Sequence, residues 1–162
     1  MIRLFSIFSL SVSLLCSCQK SLNNAVETNF INADFKILYT TNTASEFTKS
    51  FEDPFDNSII YVDTVNVICD QKNLKKIWTD FNNEGMPMIG IELDEKGTQK
   101  FSEASEMSMG KKLAVVNNDR IIIAPKITEK VSKGIIQISG HYTWEEIKKL
   151  KKEIINNNQA TK

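Results

Sequence analysis

The chain reads as an α+β domain: a mostly antiparallel sheet with two main helices packed on one face. Three observations predict it. Strand-like runs are joined by short turns rich in Asn, Asp and Gly, the signature of hairpins. Two later segments carry helix caps followed by apolar residues at helical spacing. The order is strands, helix, three strands, helix, which suits helices covering an antiparallel sheet.

The first eighteen residues, MIRLFSIFSLSVSLLCSC, are a targeting segment and stand outside fold reasoning. Arg3 and the free amine give a short positive start. Residues 4–15 form an apolar run broken only by Ser, short for a membrane span. The run Leu15-Cys16-Ser17-Cys18 resembles the lipobox of bacterial lipoproteins, with an aliphatic residue three places before a Cys and a small residue just before it. The resemblance implies that residues 1–17 are a signal peptide that is cut away, and that Cys18 carries the lipid on its sulfur and usually on its new amine. Cys16 departs from the pattern, which prefers Ala, Ser, Thr or Val there, and the single basic residue is sparse. Two other readings stay open: an ordinary secreted protein with incidental cysteines, and a retained transmembrane anchor, which the short apolar run disfavours. One acyl chain anchors only marginally and two or three do so stably. The expected product is a domain held on a membrane of the bacterial cell envelope, facing outside the cytoplasm.

Without residues 1–17 the chain loses Arg3 and keeps 19 basic against 20 acidic side chains. That balance argues against nucleic acid, which calls for a basic excess. With Cys18 modified and Cys16 removed, Cys69 is the one remaining thiol and forms no internal disulfide, so the domain is held by its core. Following VNVI, Cys69 reads as a buried structural thiol.

Residues 18–33, polar and Asn-rich, read as a flexible tether. The single domain is expected over 34–157, about the size that buries two-thirds of its unfolded surface. DFKILYT suggests a strand, and the turn-rich stretch after it, with Pro54, suggests a short helix over 44–51. IIYVDTVNVI reads as one or two strands broken near Asp63. NLKKIWTDF fits a helical turn or a strand; the NNEG turn and the alternation of MPMIGIEL after it favour a strand over 77–81 and a hairpin, with Pro87 near a strand start where the ladder tolerates it. A helix follows: Asp94 caps it, Glu95 lies in its first turn, Phe101, Ala104 and Met107 or Ser108 form a narrow apolar stripe, and Gly110 stops it. Strands over 113–116 and 120–124 flank an Asn-Asn-Asp turn. GIIQISG is a further strand with Ile136 and Ile138 on one face. The last helix opens on a capping box, Thr143 to Glu146, with Tyr142 and Ile147 placed as a hydrophobic staple. Ile147, Leu150 and Ile154 form its stripe, Lys148, Lys149, Lys151 and Lys152 its other faces, and residues 158–162 a frayed tail.

The stretch from Gly90 to Leu150 resembles the head subdomain of the first periplasmic domain of SecD and SecDF, accessory subunits of the bacterial protein translocase. The resemblance rests on Leu93, Glu95, Gly97 and Phe101; on Gly110, Lys111, Leu113, Ala114, Val115, Ala124, Pro125 and Ile127; and on Gly134, Ile138, Gly140, Tyr142, Thr143, Glu145, Glu146 and Ile147. It is faint over 59–81 and does not cover the tether. The family usually has Asp-Gly where this chain has Asn118 and Asp119. The transmembrane helices and proton-coupling carboxylates of that family have no counterpart in these 162 residues. The resemblance therefore implies a fold and a way of meeting polypeptide, not a motor.

Chemistry is thinly signalled. No catalytic set, metal-ligand cluster, cofactor motif or phosphate loop can be assembled. Pro125 and Gly140 read as strand ends rather than a ligand groove. His141 reads as a solvent-facing turn residue, since an enzyme would need it brought to Cys69 and a carboxylate. Arg120, the one Arg after residue 17, reads as a strand-end charge or an ion-pair partner. The Lys-rich helix face suits solvent, or an anionic lipid surface. Met86, Met88, Met107 and Met109 read as core or hairpin packing, with a soft peptide-binding surface as the alternative. The expected function is a non-catalytic protein- or peptide-interaction module with a possible link to protein export. The alternatives are a structural accessory subunit of an envelope complex, a small-ligand-binding domain, or an enzyme.

Overall fold

A computed structural model describes residues 35–157. The elements run β1 (Lys36–Thr41), β2 (Thr48–Glu52), β3 (Ile59–Asp70), a 3-10 turn (Gln71–Asn73), β4 (Leu74–Phe81), β5 (Pro87–Leu93), α1 (Glu95–Met107), β6 (Leu113–Asn117), β7 (Arg120–Ile123), β8 (Ile135–Ser139) and α2 (Trp144–Asn157). Every strand pair is antiparallel, as expected. The strands divide between two sheets, β2-β3-β1-β6-β7 and β4-β5-β8. In the first, β1 is central although it comes first, because later strands add on both sides of it.

The main core joins both sheets to both helices. Ile37, Ile89, Ile91, Ile138, Ile147 and Ile154 are fully buried within it, with Phe101 and Ala104 of α1 nearly so. A smaller cluster of Leu38, Ile60, Val62, Ala114, Val116, Ile121 and Ala124 lies apart, with Phe51 against it. The five-stranded sheet coils around this second cluster until its edge strands β2 and β7 meet, and Lys49 pairs with Asp119 across the gap. Strand twist of constant hand makes such coiling the natural outcome of five strands.

Local sequence accounts for most boundaries. Asp94 caps α1, accepting from the Gly97 N–H at 2.6 Å. Gly110, at φ +78°, takes the left-handed backbone just after that helix, which its missing Cβ allows. Ser108, not Met107, continues the apolar stripe. At α2 the Thr143 N–H donates to Glu146 Oε2 at 2.8 Å, and the Glu146 N–H donates back to Thr143 Oγ1 at 3.3 Å. Those bonds from the Thr143 backbone and hydroxyl hold the Glu146 carboxyl below its ordinary value. The β6–β7 turn places Asn118 and Asp119 at φ +47° and +61°, the paired left-handed geometry of a two-residue hairpin turn. The turn thus forms without a Gly. In the β4–β5 hairpin the Trp78 ring lies over Gly90, its cross-strand partner, occupying the space a side chain would need.

The helix expected over 44–51 is not formed. Residues 48–52 are instead an edge strand paired to residues 59–63 of β3. A strand there gains ladder hydrogen bonds and lays Phe51 against the second cluster, so tertiary pairing overrides the local pattern.

A bulged strand and two depressions

The expected break near Asp63 is a large bulge inside one long strand. Leu38 of β1 pairs with Val67 of β3, yet Thr40 pairs with Val62. Regular antiparallel pairing would bring residue 65 opposite Thr40, so β3 carries three extra residues here. Asp63 holds the bulge: its Oδ1 accepts from the Val65 and Asn66 N–H groups at 2.8 and 3.0 Å, and its Oδ2 from Asn66 Nδ2 at 2.8 Å. Partial burial pushes the Asp63 carboxyl up, but the bonds from Asn66 and Val65 hold it below its ordinary value, so it stays an acceptor. Thr64 pins the tip, donating through both its N–H and its hydroxyl to the Phe47 carbonyl.

Apolar side chains are open to solvent on and around the bulged strand. Phe47, Val65 and Met107 are each more than half exposed and Val67 is also open. Tyr39, Val65, Val67, Met107, Lys100 and Glu103 line a shallow groove of about 380 Å³ between β3 and α1. Burial, then the carboxylates of Glu103 and Asp63, push the Tyr39 phenol above its ordinary value.

A second depression of about 630 Å³ opens beyond Tyr39, lined by Thr40, Thr41, Ile59, Lys111, Lys112 and Lys126 among others. Lys112 Nζ meets Asp53 Oδ2 at 2.7 Å and Asp56 Oδ2 at 3.5 Å. Asp53 is buried, and its other oxygen accepts from the Phe55 N–H at 3.0 Å.

The residues singled out in the sequence are scattered. Cys18 lies outside the described residues. Cys69 is fully buried, its Sγ 3.4 Å from the Gly97 carbonyl, and burial pushes the thiol up to about 12. His141 is exposed beside the Phe55 ring, 5.9 Å between centroids, and no hydrogen bond joins it to Cys69. Pro125 and Gly140 follow the ends of β7 and β8, and the Pro125 carbonyl accepts from the Leu113 N–H. Arg120 pairs with Glu153 at 2.7 Å. Lys148 and Lys149 reach Glu145 and Glu153 on their own helix. Of the methionines, Met88 is buried, but the packing expected of Met107 and Met109 is not found: both are at least half exposed, on and just after the last turn of α1. Among the described residues no group of His, Cys, Asp and Glu could hold a metal ion, and no helix is long and apolar enough to cross a membrane.

Sequence reasoning missed Asp53, Lys112 and the bulge surface. The single detectable sign was the break at Asp63 in an otherwise strand-like run.

The profile of the SecDF P1 head subdomain matches residues 45–155, which is most of the two-sheet body just described. The chain belongs to that family. SecD of Sebaldella termitidis is 34% identical over 83 residues, 51% of this chain and 20% of that protein. SecD of Magnetococcus marinus is 29% identical over 125 residues, 77% of this chain and 22% of that one. A solved structure of SecDF, described as a membrane component that enhances protein export, superposes with TM-score 0.58 at 18% identity, over 86% of this chain and 68% of that one. SecDF in a super-membrane-facing form gives 0.57 at 19% identity, over 75% and 18%. At those identities the superpositions show the fold: a SecDF head domain of antiparallel strands and two helices. The chain spans only about a fifth of the SecD relatives it matches.

Proposed function

We propose that this protein is a membrane-anchored module of the bacterial cell envelope that works by contact with extended polypeptide, in or near protein export, and carries no catalytic site. In this reading residues 1–17 are a signal peptide, Cys18 is the lipid-bearing residue, residues 18–33 are the tether, residues 34–157 are the domain and residues 158–162 its tail. The domain faces away from the cytoplasm and its partner is an exported or envelope protein.

The observation that carries this reading is the groove beside the β3 bulge. An extra loop of strand, fixed by Asp63 and Thr64, presents Val65 and Val67 to solvent across the groove from Met107. Contiguous exposed apolar surface on a small domain marks a contact site more often than chance. Kinship to a translocase subunit makes polypeptide the fitting partner. Met107, flexible and polarisable, adapts to differing side chains.

The test places a photo-crosslinking residue at Val65 or Met107 in a Cys18-intact chain in cells. Transient adducts to many unfolded exported chains support the reading. One stoichiometric adduct supports an accessory subunit instead. Adducts no richer than those from an exposed site on α2, such as Lys152, overturn it. Palmitate incorporation that persists in Cys18→Ala shows that the anchor was assigned to the wrong residue.

A further inference from the structure

We infer that the cationic cleft beyond Tyr39 is a binding site for a carboxylate-bearing extended peptide, with Lys111 and Lys126 supplying the charge and Lys112 setting the frame. The site is separate from the bulge groove and does not depend on the lipid anchor.

The cleft exists because two strands part company. Pairing of β1 with β6 ends at Tyr39 and Leu113. One residue further on, the contact across the gap is the Thr40 hydroxyl donating to the Lys112 carbonyl at 2.7 Å. Beyond that point Thr41 and Asn42 form one wall and residues 110–112 the other. The opening has the volume of an ordinary ligand site. Its walls mix polar groups with the exposed side chain of Ile59, so it accepts a chain with both character types rather than a bare small ion.

Charge placement is the second observation. Lys112 and Lys126 are directly opposite one another across an antiparallel bridge. Like charges so placed repel, and sheets avoid the arrangement unless something compensates. Compensation is supplied to one member only. Buried Asp53 and exposed Asp56 take Lys112, whose ammonium is held above its ordinary value chiefly by the hydrogen bond to Asp53. Among the described residues no carboxylate pairs with Lys126 or with Lys111, which lines the same cleft. Three ammonium groups against two carboxylates leave one net positive charge at the mouth. A carboxylate entering there completes the pattern, meeting Lys126 and Lys111 while Lys112 stays tied to Asp53. The strand edge left open where β1 leaves β6 gives the same peptide a backbone to lie along.

The test uses the full chain in detergent and dye-labelled octapeptides read by fluorescence anisotropy. The probes are an alternating Val/Glu peptide with an amidated C-terminus, its Val/Gln counterpart amidated, and the Val/Gln peptide as a free acid. Expected is binding of a carboxylate-bearing probe at least tenfold tighter than the amidated Val/Gln peptide, weakening with salt. It should fall at least tenfold in Lys111→Glu/Lys126→Glu, whose exposed side chains leave the core intact, as retained cooperative thermal unfolding would verify, with a midpoint at or above that of the unaltered chain because Lys112 then faces a carboxylate. If the amidated Val/Glu peptide binds, side-chain carboxylates are the ligand; if the free-acid peptide alone binds, a chain terminus is. Equal binding of all three probes, no binding of any, or full affinity in the double variant overturns the inference. So does capture of anionic vesicles through the same two lysines without peptide binding. A groove that fails to crosslink leaves these outcomes untouched, so the two readings fail separately.

Discussion

Replacing Asp53 with Asn should destabilise the domain and tighten acidic-peptide binding at once. Asp53 is 3% exposed, and its Oδ2 lies 2.7 Å from Lys112 Nζ. Removing one partner of a fully buried pair costs about 3–5 kcal/mol, whereas an exposed pair contributes roughly 0–1. Here the carboxylate is buried but the Lys112 side chain is about a third exposed, so water recovers part of the ammonium's solvation. A cost of about 2 kcal/mol follows for Asp53→Asn, between those limits. Asn keeps an oxygen for the Phe55 N–H, so the turn at residues 53–58 is preserved and the loss reports the ion pair. Lys112→Met, which strands the buried carboxylate, should cost more, about 3 kcal/mol, and the double variant should recover about 1 kcal/mol of the sum. Urea denaturation followed by the fluorescence of Trp78 and Trp144 measures all three. The pH dependence has a fixed sign. The Lys112 ammonium is raised above 10.5, so its contribution is fully present below that value and is lost as pH rises through the folded-state value. Meanwhile, Lys112 freed from Asp53 adds attraction for an incoming carboxylate, about 1 kcal/mol in water-like surroundings, or roughly fivefold in affinity. An Asp53→Asn loss below about 0.5 kcal/mol with no coupling to Lys112, or unchanged peptide affinity, would refute the reasoning.

Four further outcomes are expected. Cys69 should resist alkylation near pH 8 in the folded chain and react after unfolding, as peptide mapping by mass spectrometry would read, because burial holds its thiol neutral up to about 12; native labelling at the rate of a free thiol contradicts this. Ile147→Ala should cost about 2–5 kcal/mol while Met107→Ala stays within about 0.5, a contrast that denaturant midpoints resolve. Thr143→Ala should cost about 1 kcal/mol through the lost cap; since the Glu146 pKa is lowered in the folded state, the deficit of Glu146→Gln should be present above the unfolded Glu value and shrink as pH falls through the folded one. Deleting residues 64–66 should remove the three-residue slip between β1 and β3, abolish crosslinking from Met107 and leave acidic-peptide binding intact; loss of both together would show that one surface had been divided in two.

What was legible in the sequence is what local chemistry decides. The capping box at Thr143 and Glu146 and the Asp94 cap follow from side chains that meet partners within three residues, and the turn at Asn118 and Asp119 follows from the tolerance of those residue types for left-handed backbone. The strand reading of residues 77–81 succeeded because the hairpin after it constrained it. Residues 44–51 misled because Ala44, Phe47 and Phe51 have helical spacing, while the stabilising partner, β3, lies beyond a turn that local pattern ignores. The methionines misled because a hydrophobic scale assigns Met107 to a core that Ser108 and Ala104 already fill. Neither depression could be read in advance. The cleft needs the register that sets Lys112 opposite Lys126, and the groove needs the three-residue slip, and register is a long-range property.

Both depressions trace to one place in the fold. At the end of β1, Tyr39 belongs to the bulge groove and Thr40 and Thr41 belong to the cleft. On one side β3 slips by three residues, and on the other β6 turns away after Leu113. A central strand paired regularly along its whole length would present a flat, satisfied sheet with neither feature. Side-chain bonds from Asp63, Thr64 and Thr40 take up several of the polar groups at these positions, which limits the hydrogen-bond energy lost there. The remainder of the body is held by two separate apolar clusters, and the further register shifts, between Ile37 and Leu38 and between Val115 and Val116, are smaller than the slip at residues 63–66. The result is a fixed frame with one ragged edge, which offers an apolar side and a cationic side within a few residues of each other.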